Sequence, residues 1–338
     1  MKKWVIFSCI SVCSCSALAD TVWLKNGDVI SGSVKLVDSN KLLLDTDFAG
    51  TVSIDRNKIK TFSVDAPVEL QKGLFGDKQR AAQVLPDPDK TGSVILASDN
   101  EQTVFALNDD FILMRNKPKT LLSEYLFNGR LNGGAYYNKG TNKTEQYMLD
   151  GNLTARHDLL RHNLYGNLRR TSENSQTKTY NYTLGYNLDR FITTSFFWTN
   201  NVSYKHDWIE DIKGRLTVGT GPGYQLWDDE LGAFSLSALI NYQRLEYRDD
   251  HTNNNPLGSV KWDYERYFMS KTVRLFTNGS IGRSFDDSVD YELSGVLGLG
   301  YNLTSWLSVN ATLSRDKSKT KDGDSSNTNY GLGLGVSW

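Results

Sequence analysis

The chain has 338 residues, of which 39% are apolar and 12% aromatic, with only 6 Pro; that composition folds, and its length suits two modest domains or one large one. A formal charge of −1 lacks the basic excess that would draw a phosphate backbone, so a general nucleic-acid binder is excluded. The 17 Tyr, 14 Phe, 8 Trp and 28 Gly fit strands better than helices.

The first nineteen residues read as an export signal. Lys2 and Lys3 precede an apolar run from Trp4 to Val12, and Ala17-Leu18-Ala19 stands before Asp20, so residues 1–19 are expected to be removed after Ala19. Lipidation would need Cys13 or Cys15 as the acylated residue, and Val12-Cys13-Ser14-Cys15 is only a marginal site for it. Cys9, Cys13 and Cys15 are the chain's 3 Cys, so a mature chain from Asp20 holds no thiol for disulfides, nucleophilic catalysis or zinc. No later window offers the eighteen or so apolar residues that a spanning helix needs. A closed β-barrel stays open, because its alternating strands leave little hydropathy signal.

Residues 20–118 are expected to form a small β-rich domain, an SH3-like or curled sheet in one or two parts. Short strands at Thr21 to Leu24, Val29 to Leu36, Leu42 to Leu44, Val52 to Ile54 and Ile59 to Val64 are separated by turn residues such as Asn26-Gly27. After Pro86-Asp87-Pro88, three more follow at Ser93 to Ala97, Thr103 to Leu107 and Phe111 to Arg115, and Pro118 closes the region. None of these is long enough to cross a bilayer, and none carries a residue that marks a site; a soluble cap and an adaptor for a periplasmic partner are the two readings.

From Tyr125 to Trp338 the pattern changes to segments of about ten residues with a strict period of two. Tyr180, Tyr182, Leu184, Tyr186 and Leu188 fall on one face, with Asn181, Thr183, Gly185, Asn187 and Asp189 on the other. Twelve such segments can be counted, among them Gly129 to Tyr137, Tyr147 to Ala155, Ile192 to Tyr204, Ile212 to Leu226, Phe234 to Tyr242 and Tyr330 to Trp338. No helix separates them, so the apolar faces have lipid as their natural cover. The expected fold is therefore all-β: a 12-stranded antiparallel transmembrane barrel of outer-membrane type behind a small periplasmic β-domain.

The connections sort into tight turns after even strands, such as His157-Asp158, Asp189-Arg190 and Thr304-Ser305, and longer polar stretches after odd ones, such as Arg248 to Pro256 and Arg315 to Thr328. That asymmetry puts the short turns and both ends of the barrel on the periplasmic side. Pro222, between Gly221 and Gly223, removes a ladder N–H where a barrel has no free edge, and is expected to mark a bulge or a turn. The last strand, with Tyr330, Leu332, Leu334, Val336 and Trp338 on one face, resembles the terminal strand by which the barrel assembly machinery recognises its clients.

Charges on the polar faces belong in the lumen, since Arg or Lys on the lipid face costs about 2–4 kcal/mol near the midplane. The expected lumen-lining residues are Arg130, Asp150, Arg156, Arg169, Lys213, Arg215, Lys261, Asp263, Glu265, Arg274, Asp290 and Glu292. They would either line a narrow water-filled pore of weak ion selectivity or pair and fill the lumen. A surface hydrolase, protease or phospholipase, is the competing class. A phospholipase would need a nucleophilic Ser beside a His, and of the four histidines, His157, His162, His206 and His251, the first two fall at a periplasmic turn, the wrong end for surface lipid. His251, beside Asp249 and Asp250 and with Asp322 and Asp324 in another loop, would suit water activation. The Asp-rich loops lack the ligand spacing of a calcium loop. No catalytic residue, cofactor or metal is expected. The expected partners are outer-membrane lipid, lipopolysaccharide and the assembly machinery, with no nucleic acid.

Taken together, the signal, the β-rich leader, the turn Tyr301-Asn302-Leu303-Thr304-Ser305-Trp306 and the strand Gly219 to Tyr224 resemble the salt-induced outer-membrane proteins of the YdiY-like domain-of-unknown-function family. The resemblance covers residues 125–338. It implies an outer-membrane location and a role in osmotic or salt stress, and it carries no catalytic residue. A small-solute pore or an envelope-structural role is the expected function.

Overall fold

The computed structural model describes residues 19–73, 76, 78–87, 90–98, 101–115, 126–139, 143–286, 289–320 and 323–338; the expected signal through Leu18, together with Pro118, Tyr125 and Asp322, lies outside them. The chain divides into two compact units, Met1–Arg115 and Asn116–Trp338.

In the first unit, β1 (Asp20–Leu24), β2 (Val29–Val37), β3 (Lys41–Thr46), β4 (Gly50–Asp55), β5 (Ile59–Ser63), β6 (Val68–Gln71), β7 (Lys78–Ala81), β8 (Gln83–Pro86), β9 (Ser93–Ala97), β10 (Gln102–Ala106) and β11 (Ile112–Arg115) form two sheets. The larger runs β4-β3-β2-β11-β6-β7, with β1 joining β2 to β5, and the smaller is β10-β9-β8. The sequence pattern missed β6, β7 and β8, since strands of 4 residues are too short to show an alternation. Val22, Val34, Phe62, Val64, Leu96 and Leu113 belong to one dry core. Asp20 is the polar exception: its buried carboxylate accepts the Val34 N–H at 2.8 Å and the Asp65 N–H at 3.1 Å, and pairs with Arg115, so the first strand is tied to the last.

The second unit is a closed barrel in chain order: β12 (Leu126–Lys139), β13 (Lys143–His157), β14 (Leu160–Glu173), β15 (Gln176–Phe191), β16 (Phe196–Asp207), β17 (Ile212–Asp229), β18 (Gly232–Tyr247), β19 (Thr252–Phe268), β20 (Val273–Ser284), β21 (Val289–Asn302), β22 (Leu307–Thr320) and β23 (Gly323–Ser337). All twelve expected strands are present. The seam that closes it is short, from Arg130↔Ser337 to Gly133↔Leu334, and is extended by reciprocal backbone bonds of 3.0 and 3.1 Å between Gly129 and Trp338.

Alternation sets the faces. In β23, Tyr330, Leu332, Leu334 and Val336 are exposed outward while the intervening Gly331, Gly333, Gly335 and Ser337 turn inward. Where a ring must lie flat across a neighbouring strand, that strand carries Gly: a Cβ at Gly298 would collide with the Phe276 ring, one at Gly223 with Phe197, and one at Gly129 with the Trp338 indole.

Three expectations are corrected. First, the polar stretches after odd strands are continuations of the strands; among the described connections, 174–175, 208–211 and 248–251 are no longer than 158–159, 192–195, 230–231, 269–272 and 303–306 at the other end. The asymmetry lies in the strands themselves. They run 12 to 18 residues, against the 9 to 11 or so that cross a bilayer, and the excess is polar and lies at the end away from the start of β12 and the end of β23. On β15, Tyr180 to Arg190 covers about 33 Å of strand, or about 25 Å along the axis at the usual tilt, which is the height of an apolar band.

Second, Asp189 and Arg190 are not a turn but paired residues of β15, opposite Thr199 and Trp198, with Phe191↔Phe197 the last pair, and the turn is 192–195, which takes Ile192 and Thr194 out of the fifth strand. Third, Pro222 is neither bulge nor turn. It faces outward opposite Trp198 on β16, while on the β18 side the ladder lapses between Thr220↔Ile240 and Gly223↔Ser237 and resumes in the same register. The missing N–H falls in that gap, and the true register shifts of β17 lie elsewhere, between Ile212 and Gly214 and between Gln225 and Trp227.

Candidate functional site: the barrel interior

The inward faces hold a set of ion pairs that reach across the lumen rather than along its wall. Near the end where β12 starts and β23 finishes, Arg130 of β12 meets Glu265 at 3.2 Å and donates to the Tyr267 hydroxyl at 3.0 Å; both partners are on β19, five strands away around the ring. Arg274 shares Glu265 at 3.5 Å and stacks over Phe276 with its guanidinium 4.0 Å from the ring centre. Arg156 of β13 donates to Asp228 of β17 at 2.9 Å, and Arg161 of β14 donates to Asp189 and to Gln225, each at 2.8 Å. Both guanidiniums lie over Phe191, at 4.7 and 5.1 Å, and Phe191 packs on Phe197 with ring centres 5.2 Å apart. An aromatic floor therefore supports the cations and excludes water from one side of each pair, which strengthens the attraction.

Higher in the lumen the bridges continue. Arg169 of β14 donates to Ser314 of β22 at 2.7 Å and faces Asp150 at 3.8 Å. Arg215 of β17 pairs with Glu292 of β21 at 3.3 Å, and Gln243 donates to the same carboxylate at 3.3 Å. Lys261 of β19 donates to Asn187 of β15 at 3.1 Å. Asp263 has Lys261, Arg161, Glu265 and Asp189 as its charged neighbours, yet it stays exposed to the space inside the barrel.

Ten of the twelve expected lumen charges thus face the interior. Lys213 and Asp290 do not belong with them. The register shift after Ile212 and a position at the strand end carry Lys213 to a hairpin tip, where it pairs with exposed Asp250 at 2.8 Å; Asp290, second residue of β21, pairs at the rim with Lys319 at 3.2 Å. Arg161, Gln225, Asp228 and Tyr267 were missed, and Asp189, set on the polar face of its strand by the alternation, was left out of the lumen set. Arg161 and Asp189 were within reach, since the alternation through Arg169 and Tyr165, or through Asn187, arrives at them once the strands are carried to their ends.

The histidines spread around the molecule. His157 meets Asp158 at 3.2 Å, His162 bonds the Tyr186 hydroxyl at 2.7 Å on the outer face, and His206 lies among Tyr182, Tyr204 and Trp208. His251 pairs with Asp249 and stacks on Tyr247, with ring centres 4.0 Å apart, at an exposed tip. Among the described residues no group of three His, Cys, Asp or Glu is placed to hold a metal ion.

A closed ring of twelve antiparallel strands, apolar outside and charged inside, is the fold of an outer-membrane-type β-barrel. The chain belongs to the family described as "Protein of unknown function, DUF481", whose profile matches residues 132–338, and this is the family that the sequence resembles. No curated protein matches it. Solved structures similar to it include the translocator domain of the autotransporter NalP from Neisseria meningitidis, 13% identical, covering 63% of this chain and 87% of that one with a TM-score of 0.35. The NanC porin is 7% identical, with coverages of 62% and 99% and a TM-score of 0.39. The COG4313 outer membrane channel of Pseudomonas putida F1 is 14% identical, with coverages of 67% and 100% and a TM-score of 0.38.

Proposed function

We propose that the protein is a narrow channel for small solutes in the outer membrane of a Gram-negative envelope, constricted by ion pairs, and that it is not an enzyme. The observation that carries this is the set of direct bonds between side chains on strands far apart around the ring, such as Arg130 to Glu265 and Arg156 to Asp228. The accessible surface that Asp263 keeps among them supports a lumen narrowed by these bonds over one filled by them. Positive and negative side chains alternate across the passage, which favours weak charge selection. The N-terminal unit is placed in the periplasm on this reading, because the apolar band starts at the end where the barrel's first and last strands lie and the polar strand extensions project from the other. There they would meet lipopolysaccharide.

Ion pairs in a wet lumen weaken as salt rises, the screening length falling from about 10 Å at 0.1 M to about 3 Å at 1 M. A constriction made of them loosens in high salt, in keeping with the osmotic role that the family resemblance implies. Conductance of the refolded full chain in planar bilayers tests the reading. Small unitary steps are expected that grow at least twofold in Arg156→Ala and rise with salt faster than the bulk conductivity. Silence of both wild type and variant at all salt concentrations would remove the channel and leave an envelope-structural role.

A further inference from the structure

The outer face of the barrel carries polar side chains where the alternation calls for apolar ones. In the row along paired strands His162, Leu188, Asn200 and Thr220 stand side by side, and in the row nearer the turn Leu160, Arg190, Trp198 and Pro222. Arg190 is exposed and, among the described residues, has no ion-pair or hydrogen-bond partner, unlike the inward arginines Arg130, Arg156, Arg161 and Arg169. Beside it is a groove of about 540 Å³, lined by Leu159, Arg190, Phe191, Ile192, Trp198 and Asn200.

The polar wall of this groove is oriented. The Trp198 indole N–H donates to the Thr220 hydroxyl at 2.8 Å, and that hydroxyl lies 2.9 Å from the Asn200 carbonyl oxygen and 3.2 Å from the Thr199 backbone carbonyl, the two acceptors for its one proton. Asn200 turns its oxygen to the Thr220 hydroxyl and, among the described residues, leaves its amino group as a donor towards the groove. An unpaired guanidinium and a free amide donor thus converge on one groove whose remaining walls are the exposed apolar side chains of Leu159, Ile192 and Trp198. Two donors, one of them a permanent cation, suit a phosphate with its ester oxygens, and the apolar walls suit the start of an acyl chain. The position agrees: Arg190 is the next-to-last residue of β15, beside the turns 158–159 and 192–195, at the margin of the apolar band where lipid head groups lie.

We infer that this groove is a binding site for one anionic phospholipid of the leaflet at the turn end, with Arg190 and Asn200 holding the phosphate diester and Trp198, Leu159 and Ile192 the adjoining acyl chain. The inference needs the barrel to sit in a membrane and is independent of whether the lumen conducts.

Native mass spectrometry of the full chain in detergent, titrated with phosphatidylglycerol, tests it. One tightly retained lipid per chain is expected, with apparent affinity at least tenfold weaker in Arg190→Gln and in Asn200→Leu. Both side chains are exposed, and heat-dependent gel mobility verifies that each variant is folded. Brominated phosphatidylglycerol should also quench tryptophan fluorescence in the wild type, with the part due to Trp198 reduced in Arg190→Gln and absent in Trp198→Phe, while the exposed Trp306 and Trp338 keep responding. Equal retention by wild type and both variants would overturn the assignment. So would displacement of the lipid by inorganic phosphate at matching concentration, which would make this a free-anion site, or a wild-type dimer lost in the variants, which would make the patch an interface between copies.

Discussion

The two units of this chain are built from the same element with its faces exchanged. In the N-terminal unit, Leu113 and Phe62 are fully buried in a core between small sheets and the charges of Lys35 and Asp45 face solvent. In the barrel, Leu184 and Leu332 are exposed on the outer face, while Arg274 and Asp189 are buried inside. Both patterns obey one rule, that apolar atoms avoid water, and differ in what provides the apolar surroundings: other side chains in the first case, acyl chains in the second. The difference teaches that a period of two specifies a sheet but not its solvent; strand length and connectivity decide that.

The same substitution should therefore have unequal effects in the two units, and this is the largest expected contrast. Leu113→Arg puts an unpaired cation into a dry core and should abolish folding of the N-terminal unit, seen as loss of protease resistance of that unit with the barrel's gel mobility unchanged. Leu184→Arg on the lipid face should leave a folded barrel weakened by about 2–4 kcal/mol in denaturant unfolding from vesicles. Equal losses would mean that the outer face is covered by protein.

Next in size is the interlock of rings and glycines. Gly298→Val would place its Cβ within the Phe276 ring, which itself lies under the Arg274 guanidinium, so the ring must swing away and the Arg274 to Glu265 pair with it. A loss of about 1–3 kcal/mol is expected from overpacking of this kind, and Gly298→Val combined with Phe276→Ala should recover part of it, the double variant being more stable than the sum of the singles. Strict additivity would show that ring and glycine are not coupled. Glu265→Gln, by contrast, keeps the shape and leaves Arg130 and Arg274 without their shared anion, so its cost should shrink as salt rises.

How far this could be read in advance depended on the length over which a pattern persists. Tyr180 to Leu188 alternates over nine residues, and such strands were legible, as were the even strand number and the inward position of Arg130, Arg156 and Glu265. The strand ends were not. Asp189-Arg190 has the composition of a turn, and only the pairing with Thr199 and Trp198 makes it strand, so the Arg161 to Asp189 pair and the unpartnered Arg190 were both hidden. Lys213 was misplaced for a related reason: a register shift after Ile212 breaks the count of faces, and a one-residue shift is invisible in a sequence rich in Gly and Thr. Partners across the lumen were beyond reach, because they depend on which strands stand opposite in the closed ring and not on any spacing along the chain.

The smallest effect concerns a polar extension of the barrel, where neither core nor lipid applies. In the connection after β18, burial acts to raise the Asp249 carboxyl, but hydrogen bonds from the His251 ring and backbone outweigh it and hold the group below the usual carboxylate range. A carboxylate depressed in the folded state stabilises that state above its unfolded value, near 3.9, and the contribution disappears as pH falls through the lower folded value. The tip should thus keep its His251 to Asp249 pairing from neutral pH down to about 4 and lose it below. Carbon-detected NMR titration of the Asp249 carboxyl should follow this, and His251→Ala should move its midpoint upward towards the ordinary Asp value. An unmoved midpoint would show that the contact is not formed in solution, and the order of this tip would then rest on the ion pair of Lys213 with Asp250.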